Sequence, residues 1–301
     1  FSVAWPRIFS FFLDSRNGVV KGNLNQKGLD FYDRLIDELL QNGIEPWLTL
    51  FHWDLPYELE KKGGWRNRDI HHWISDYSAE IARRYSDRVT HFFTLNEMPC
   101  ILGGYRGWFA PGLEVNEREV FNIIHHMLLS HGSMVQAVRA NAKQNVLLGC
   151  AHNGLGHYPA SESKEDYEAF IKAMNCIEAA PGRYAPQEGS GILSGDSLTY
   201  YLDPIHFGKY PDKAFELFAD KMPEIKDGDM KLISSPVDYQ GINIYEGRPI
   251  SSGSAPGKKD GGWHIEPFEE GYNITAAKWP ITPKSMNHYF KFISDRYKKP
   301  V

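Results

Sequence analysis

Val89-Thr90-His91-Phe92-Phe93-Thr94-Leu95-Asn96-Glu97 is a β-branched and aromatic run that ends on an amide and a carboxylate. Its composition reads as a buried strand. A carboxylate at the C-terminal end of such a strand leaves the sheet where βα loops gather, which is where parallel α/β folds place their chemistry. Glu97 is therefore the candidate acid, with Asn96 beside it. A lone Glu after an apolar run is ordinarily a solvated loop residue. The flanking chain has to decide between the two readings.

Upstream, Ile70, Trp73, Ile74, Tyr77, Ile81 and Ala82 recur at helical spacing, predicting a helix from about Asp69 to Tyr85. Before it, Ile44 to Trp53 reads as a strand closing in Phe51-His52-Trp53-Asp54. Gly28 to Leu40 carries Leu29, Tyr32, Leu35, Ile36 and Leu39 on one helical face and ends at Asn42-Gly43. Phe1 to Trp5 opens in mid-strand and is closed by Pro6, with a Gly- and Asn-containing loop before Gly28. Downstream come a Gly- and aromatic-rich loop, Gly103 to Gly112, a helix from about Arg118 to Asn141, and a strand from Val146 to Ala151 followed by His152-Asn153. Tyr158 to Lys231 reads as helices and loops, and Val237 to Tyr245 as a strand delivering Asn243 and Tyr245. Glu246 to Pro280 lacks periodicity and is expected to be a long loop, and Lys284 to Tyr297 a closing helix.

Strands separated by helices, with polar residues collecting at strand C-termini (His52, Asn96 with Glu97, Asn153, Asn243 with Tyr245), fit a (β/α)₈ barrel or a doubly wound sheet. No Gly-rich phosphate loop follows any strand, which favours the barrel. With 301 residues, a net charge of -5 and both signs mixed along the chain, a nucleic-acid or anionic-membrane partner is disfavoured and a neutral small-molecule substrate fits better. Three widely spaced cysteines suit a reducing compartment, so a cytoplasmic setting is expected. No apolar run is long enough to span a bilayer and no zinc spacing occurs; neither metal nor cofactor is called for. His125, His126 and His131 read as packing or surface residues, and Trp5, Trp47, Trp65, Trp73 and Trp108 as core.

Five blocks, Phe1-Ser2-Val3-Ala4-Trp5-Pro6-Arg7-Ile8, Thr49-Leu50-Phe51-His52-Trp53-Asp54-Leu55-Pro56, Gly63-Gly64-Trp65, Thr94-Leu95-Asn96-Glu97 and Asp238-Tyr239-Gln240-Gly241-Ile242-Asn243-Ile244-Tyr245, occur in the order and spacing of a known family. Over nearly its whole length the chain resembles the glycoside hydrolase family 1 β-glucosidases. The resemblance implies a retaining β-glycosidase acting on terminal β-linked sugars, with Glu97 as general acid/base and Asn96 holding the sugar 2-hydroxyl. By the same likeness His52 and Trp53 contact the glycone, Asn153 lines the aglycone side, Tyr245 bonds the nucleophile, and Asn243 belongs to the substrate-binding set.

The family's nucleophile is a second Glu in a Glu-Asn-Gly block, for which this sequence has no counterpart. Strands 2 to 6 of the barrel are then expected within a single partial domain, residues 1–301, with strands 1, 7 and 8 missing and both ends cut. Met98 replaces the family's usual Pro after the Glu, and Pro99 stands where many members carry an aglycone tryptophan. Two alternatives remain open at this level: a 6-phospho-β-glycosidase, and a non-catalytic sugar-binding or decayed barrel.

Overall fold

The structure is a computed structural model describing residues 1–13, 20–154, 156–178, 193, 197–253 and 262–301; for residues 11–13, 20 and 21 it describes the backbone. Parts of the loop after Pro6, of Tyr158–Lys231 and of Glu246–Pro280 lie outside the described residues. The chain divides into two compact units. The first comprises Phe1–Ala151, Ile205–Gly208 and Pro223–Gly241, and the second His152–Pro204, Lys209–Met222 and Ile242–Val301.

A parallel sheet dominates the first unit. Trp47–Phe51 pairs in parallel with His91–Asn96, which pairs in parallel with Leu147–Asn153; Gly241–Asn243 is the fourth strand of the order. Parallel strands cannot be joined by tight turns and need crossover helices that cover the sheet. Gln26–Gln41, Ile70–Tyr85 and Glu117–Asn141 supply them. The first buries Leu29, Tyr32 and Ile36 at i, i+3 and i+7, and the second buries Ile70, Ile74, Tyr77, Ile81 and Tyr85. The third starts at a capping box, in which Asn116 accepts from the Glu119 amide while Glu119 accepts from the Asn116 amide.

Phe1–Val3 behaves as the expected strand over a short span: the Thr49 amide donates to the Phe1 carbonyl at 2.9 Å and the Val3 amide to the Thr49 carbonyl at 3.0 Å. It then turns into the helix Trp5–Ile8, one residue before the expected closure at Pro6, because proline at a first-turn position is pre-set for helical φ. The segment read as a loop after Pro6 contains an antiparallel hairpin, Phe9–Leu13 with Val20–Leu24. Tyr77 ties helix to sheet, its hydroxyl lying 2.8 Å from the Leu50 carbonyl and 3.1 Å from that of Val3 while its ring stacks on Trp5 at 4.9 Å. Among the tryptophans expected in the core, Trp5 and Trp65 are buried, Trp73 is half-buried, and Trp47 and Trp108 are exposed. Trp47 lies flat against His91, with ring centroids 4.0 Å apart.

The helix Glu117–Asn141 is buried on most of its circumference because it has partners on several sides. Ile70–Tyr85 packs along it, and the short helix Asp229–Ile233 crosses it at Gly132. His125 meets the Asp229 carboxylate at 3.0 Å, Arg68 pairs with the same carboxylate, and the Lys226 amide donates to it at 2.7 Å. An ionised carboxylate buried to this degree stays charged only with such donors around it.

In the second unit Tyr158–Pro159, Pro249–Ser252 and Trp263–Ile265 form a small mixed sheet, so the span expected to be a long loop holds two short strands. Lys164–Met174 and Pro283–Tyr297 are its longer helices. Asp203 accepts from Arg296 at 2.6 and 2.9 Å and from the Tyr297 hydroxyl at 2.8 Å, which anchors the closing helix. Among the described residues no helix is long and apolar enough to cross a membrane.

A Cβ added at Gly132 would lie 2.0 Å from the Leu232 carbonyl oxygen, a backbone atom. Alanine would favour the isolated helix by roughly 0.5–1 kcal/mol, but overpacking costs about 1–3 kcal/mol and this obstacle cannot swing aside. Gly132→Ala is therefore expected to destabilise the protein by about 1–2 kcal/mol net, seen as a lower urea midpoint at unchanged slope. A midpoint equal to or above that of the unsubstituted chain would contradict the close approach.

Candidate active site

Two adjacent strand ends carry the site in the first unit. Trp47–Phe51 runs out into His52 and Trp53, and His91–Asn96 into Glu97. Phe93 pairs with Gly149 whereas Asn96 pairs with Ala151, so three steps on one strand match two on the next. Such a bulge bends the strand and re-aims the side chains beyond it. The Glu97 amide nevertheless donates to the Ala151 carbonyl at 2.8 Å, so the backbone stays in the sheet up to the carboxylate.

Glu97 and Trp53 both adopt the left-handed region, with φ of 50° and 75°. Non-glycine residues there carry a strain of about 1–3 kcal/mol each, and such strain concentrates where function requires a particular side-chain placement. Glu97 is 2% exposed and Asn96 is 6% exposed, whereas Trp53 opens to solvent at 42%. A polar chain connects them. Asn96 Nδ2 donates to His52 Nε2 at 3.1 Å, and with Nε2 accepting, the His52 ring proton is on Nδ1, where Ser2 Oγ accepts it at 2.8 Å. The Trp53 indole N–H donates to the Asn96 carbonyl at 3.1 Å. Cys100, in the first turn of the helix Met98–Gly104, donates its thiol to Glu97 Oε2 at 3.2 Å. Sequence reasoning does not single out Ser2 or Cys100; Ser2 acts across 50 residues, while Cys100, three residues after Glu97 at a helix start, carries the one local signal of the two.

Phe109 stacks on Trp53 with ring centroids 5.8 Å apart and planes at 24°. Phe109, with exposed Trp108, packs over Gly103, where a Cβ would come within 2.8 Å of the Phe109 ring. The Gly63-Gly64-Trp65 block packs beside the strand Trp47–Phe51. A Cβ at Gly64, φ 52°, would lie 2.0 Å from Glu60 Oε2, and the Glu60 carboxylate accepts from both Tyr105 and Arg66. Trp65 meets Phe51 edge-on at 5.3 Å, and its carbonyl accepts from His126.

Thus Glu97, Asn96, His52 and Trp53 are brought together. Asn153, Asn243 and Tyr245 belong to the second unit: Asn153 ends the third strand, half-buried Asn243 ends the fourth, and Tyr245 is 56% exposed with its ring 5.0 Å from Trp279. Among other acids near strand ends, Asp238 accepts from Arg139 and from the Leu148 amide, towards the sheet end opposite Glu97. Glu246 accepts from Arg248 at 3.2 Å. Among the described residues no group of three or more His, Cys, Asp or Glu is arranged to hold a metal ion.

The first unit thus presents a buried carboxylate with polar neighbours at the C-terminal ends of two adjacent parallel strands. The chain matches the family model described as glycosyl hydrolase family 1 over residues 1–184 and 193–301, and it belongs to that family. It is 38% identical over its full length to β-glucosidase A of Acetivibrio thermocellus and 33% identical to β-glucosidase A of Thermotoga maritima. The family 1 β-glucosidase structure from Thermotoga maritima superposes with a TM-score of 0.75 at 32% identity, and that protein has also been solved in complex with deoxynojirimycin. The chain spans about 60% of the length of these relatives. Its fold is that of the family, an α/β architecture built on a parallel sheet.

Behind the Glu97 strand, Thr94 Oγ1 meets His131 Nδ1 at 2.7 Å, and His131 is fully buried. Burial, and then the nearby His206, push His131 down to about 3, while burial also takes His71 and His126 down to about 4. The unfolded chain titrates near the ordinary histidine value of about 6.5. Between the two values only the unfolded state binds the proton, so this stability is complete above pH about 6.5 and is lost as pH falls. His131→Asn, which keeps a partner for Thr94, is expected to flatten the decline between about pH 6.5 and pH 4 by up to about 1.4 kcal/mol per pH unit. Urea midpoints measured across that window check it, and parallel declines in both proteins would refute it.

Proposed function

We propose that this chain carries the acid/base half of a retaining β-glycosidase site, of β-glucosidase type. The observation that carries the reading is Glu97: a carboxyl buried at the C-terminal end of a parallel strand, held by the sheet backbone, with Asn96, His52 and Trp53 around the same mouth. The names of the curated relatives support the substrate class, a small β-glucoside or oligosaccharide.

In this reading Glu97 protonates the glycosidic oxygen as the aglycone leaves, a second carboxylate attacks the anomeric carbon, and Glu97 then takes a proton from the water that releases the sugar. Asn96 holds the 2-hydroxyl, where a contact strengthening towards the oxocarbenium-like state lowers the barrier. His52, whose ring nitrogens meet Ser2 and Asn96, contacts the glycone. Because the Trp53 N–H is given to the Asn96 carbonyl, the indole serves the sugar through its ring face. Asn153 lines the aglycone side, Asn243 belongs to the sugar-facing set, and Tyr245 orients the attacking carboxylate. That carboxylate lies outside residues 1–301, and the chain forms a single partial (β/α)₈ domain with strands 2 to 6. The odd count of three cysteines supports a cytoplasmic setting.

In a protein holding this chain together with the nucleophile-bearing segment, Glu97→Gln is expected to lower kcat/KM for methyl β-glucoside by about 10²–10⁴-fold. The loss is expected to be far smaller for 4-nitrophenyl β-glucoside, whose leaving group needs no proton. Equal losses, or none, would remove Glu97 from the acid/base role. Residues 1–301 alone are expected to give no turnover of 4-nitrophenyl β-glucoside. Turnover by a preparation of matching mass, 34.4 kDa, that Glu97→Ala abolishes would show that both carboxyls are within the chain.

A further inference from the structure

The thiol of Cys100 lies 3.2 Å from Oε2 of Glu97, with sulfur as donor. The two residues are bound twice over, since the Cys100 amide also donates to the Glu97 carbonyl at 2.9 Å. Between them Pro99 has no N–H to offer, and the left-handed backbone of Glu97, φ 50° and ψ 69°, turns its side chain back over the helix start. Cys100 is half-buried and Glu97 is almost entirely so. At this separation and burial two negative charges repel strongly. Sulfur therefore keeps its proton beside the carboxyl, and that proton restricts where Oε2 can point.

We propose that Cys100 is a positioning residue for Glu97, and that the Glu97 carboxyl in turn holds down the reactivity of the Cys100 thiol. The thiol proton orients Oε2, and an acidic group this close disfavours the thiolate and with it the reactivity of the sulfur. An electrophile that alkylates Cys100 forms an S–C bond, expels its leaving group and sends the thiol proton to solvent, so it removes one donor to the carboxyl. Only the consequence for glycoside turnover rests on the role proposed for Glu97; the pairing itself does not.

The experiment needs no turnover. Chain 1–301 is treated with iodoacetamide across a pH series, and alkylation of each cysteine is followed by peptide mass spectrometry. Cys176 serves as the half-buried reference and Cys150 as the buried one. In the unsubstituted chain the alkylation of Cys100 is expected to rise with pH at least about one unit later than that of Cys176. In Glu97→Gln the Cys100 rate below its midpoint is expected to rise about tenfold or more, with Cys176 unchanged. A Cys100 profile that coincides with Cys176 in the unsubstituted chain overturns the proposal. So does a Cys100 rate indifferent to Glu97→Gln while Cys150 stays protected. If Cys150 becomes reactive in the variant, the fold has opened, and the pH profile of the unsubstituted chain alone decides. Suppressed reactivity at Cys100 in a protein whose turnover ignores Glu97 would leave the coupling standing and remove the glycosidase reading.

Discussion

The hydrogen bond from the Glu97 amide to the Ala151 carbonyl is the constraint on which the site depends. It extends the sheet one residue past the bulge, so the carboxylate leaves from fixed backbone and not from a loop. The strand beneath is held from outside as well as from its neighbours. Tyr239 donates to the Phe92 carbonyl at 2.7 Å, and Thr94 meets His131. Gly149 lets the Tyr239 ring lie against the next strand, where a Cβ would come within 2.5 Å of it. A side chain placed to a few tenths of an ångström needs supporting residues whose own positions are set by packing, and here they come from the covering helices and the adjacent strands.

Most of the sheet and its helices are legible in the sequence because their apolar residues recur with the right period, as in Ile70, Ile74, Tyr77 and Ile81. The hairpin Phe9–Leu13 with Val20–Leu24 is not, since Gly22 and Asn23 resemble loop residues and its pairing is read only in three dimensions. The strands Pro249–Ser252 and Trp263–Ile265 are too short for alternation to register. At the site, the residue types at strand ends point to Glu97, Asn96, His52 and Trp53. The bulge, the left-handed backbone and the Ser2–His52–Asn96 chain are consequences of register, which composition does not encode.

His125, His126 and His131 illustrate the same boundary. On sequence they read as packing or surface residues, and all are buried with specific partners: Asp229, the Trp65 carbonyl and Thr94. Their helix is enclosed by neighbours on several faces, so polar side chains that an amphipathic reading would turn outward are folded into the layer behind the sheet. That layer sets imidazoles whose protonation burial opposes directly behind the strands. By contrast, Arg88, in the turn after Ile70–Tyr85, pairs with half-buried Asp33 and exposed Asp37 of Gln26–Gln41 near the surface, where such pairs contribute little.

Trp53 and Glu97 are non-glycine residues held in the left-handed region, which sets them apart from ordinary core positions. At a core site the best-packed residue is also the most stable one. At these two, glycine or asparagine would relax the backbone while removing the side chain the site is built around. Robustness and chemistry are thus opposed at the level of single φ angles. A laboratory lineage selected for heat resistance alone would drift towards small residues at 53 and 97, and would become sturdier as its mouth emptied.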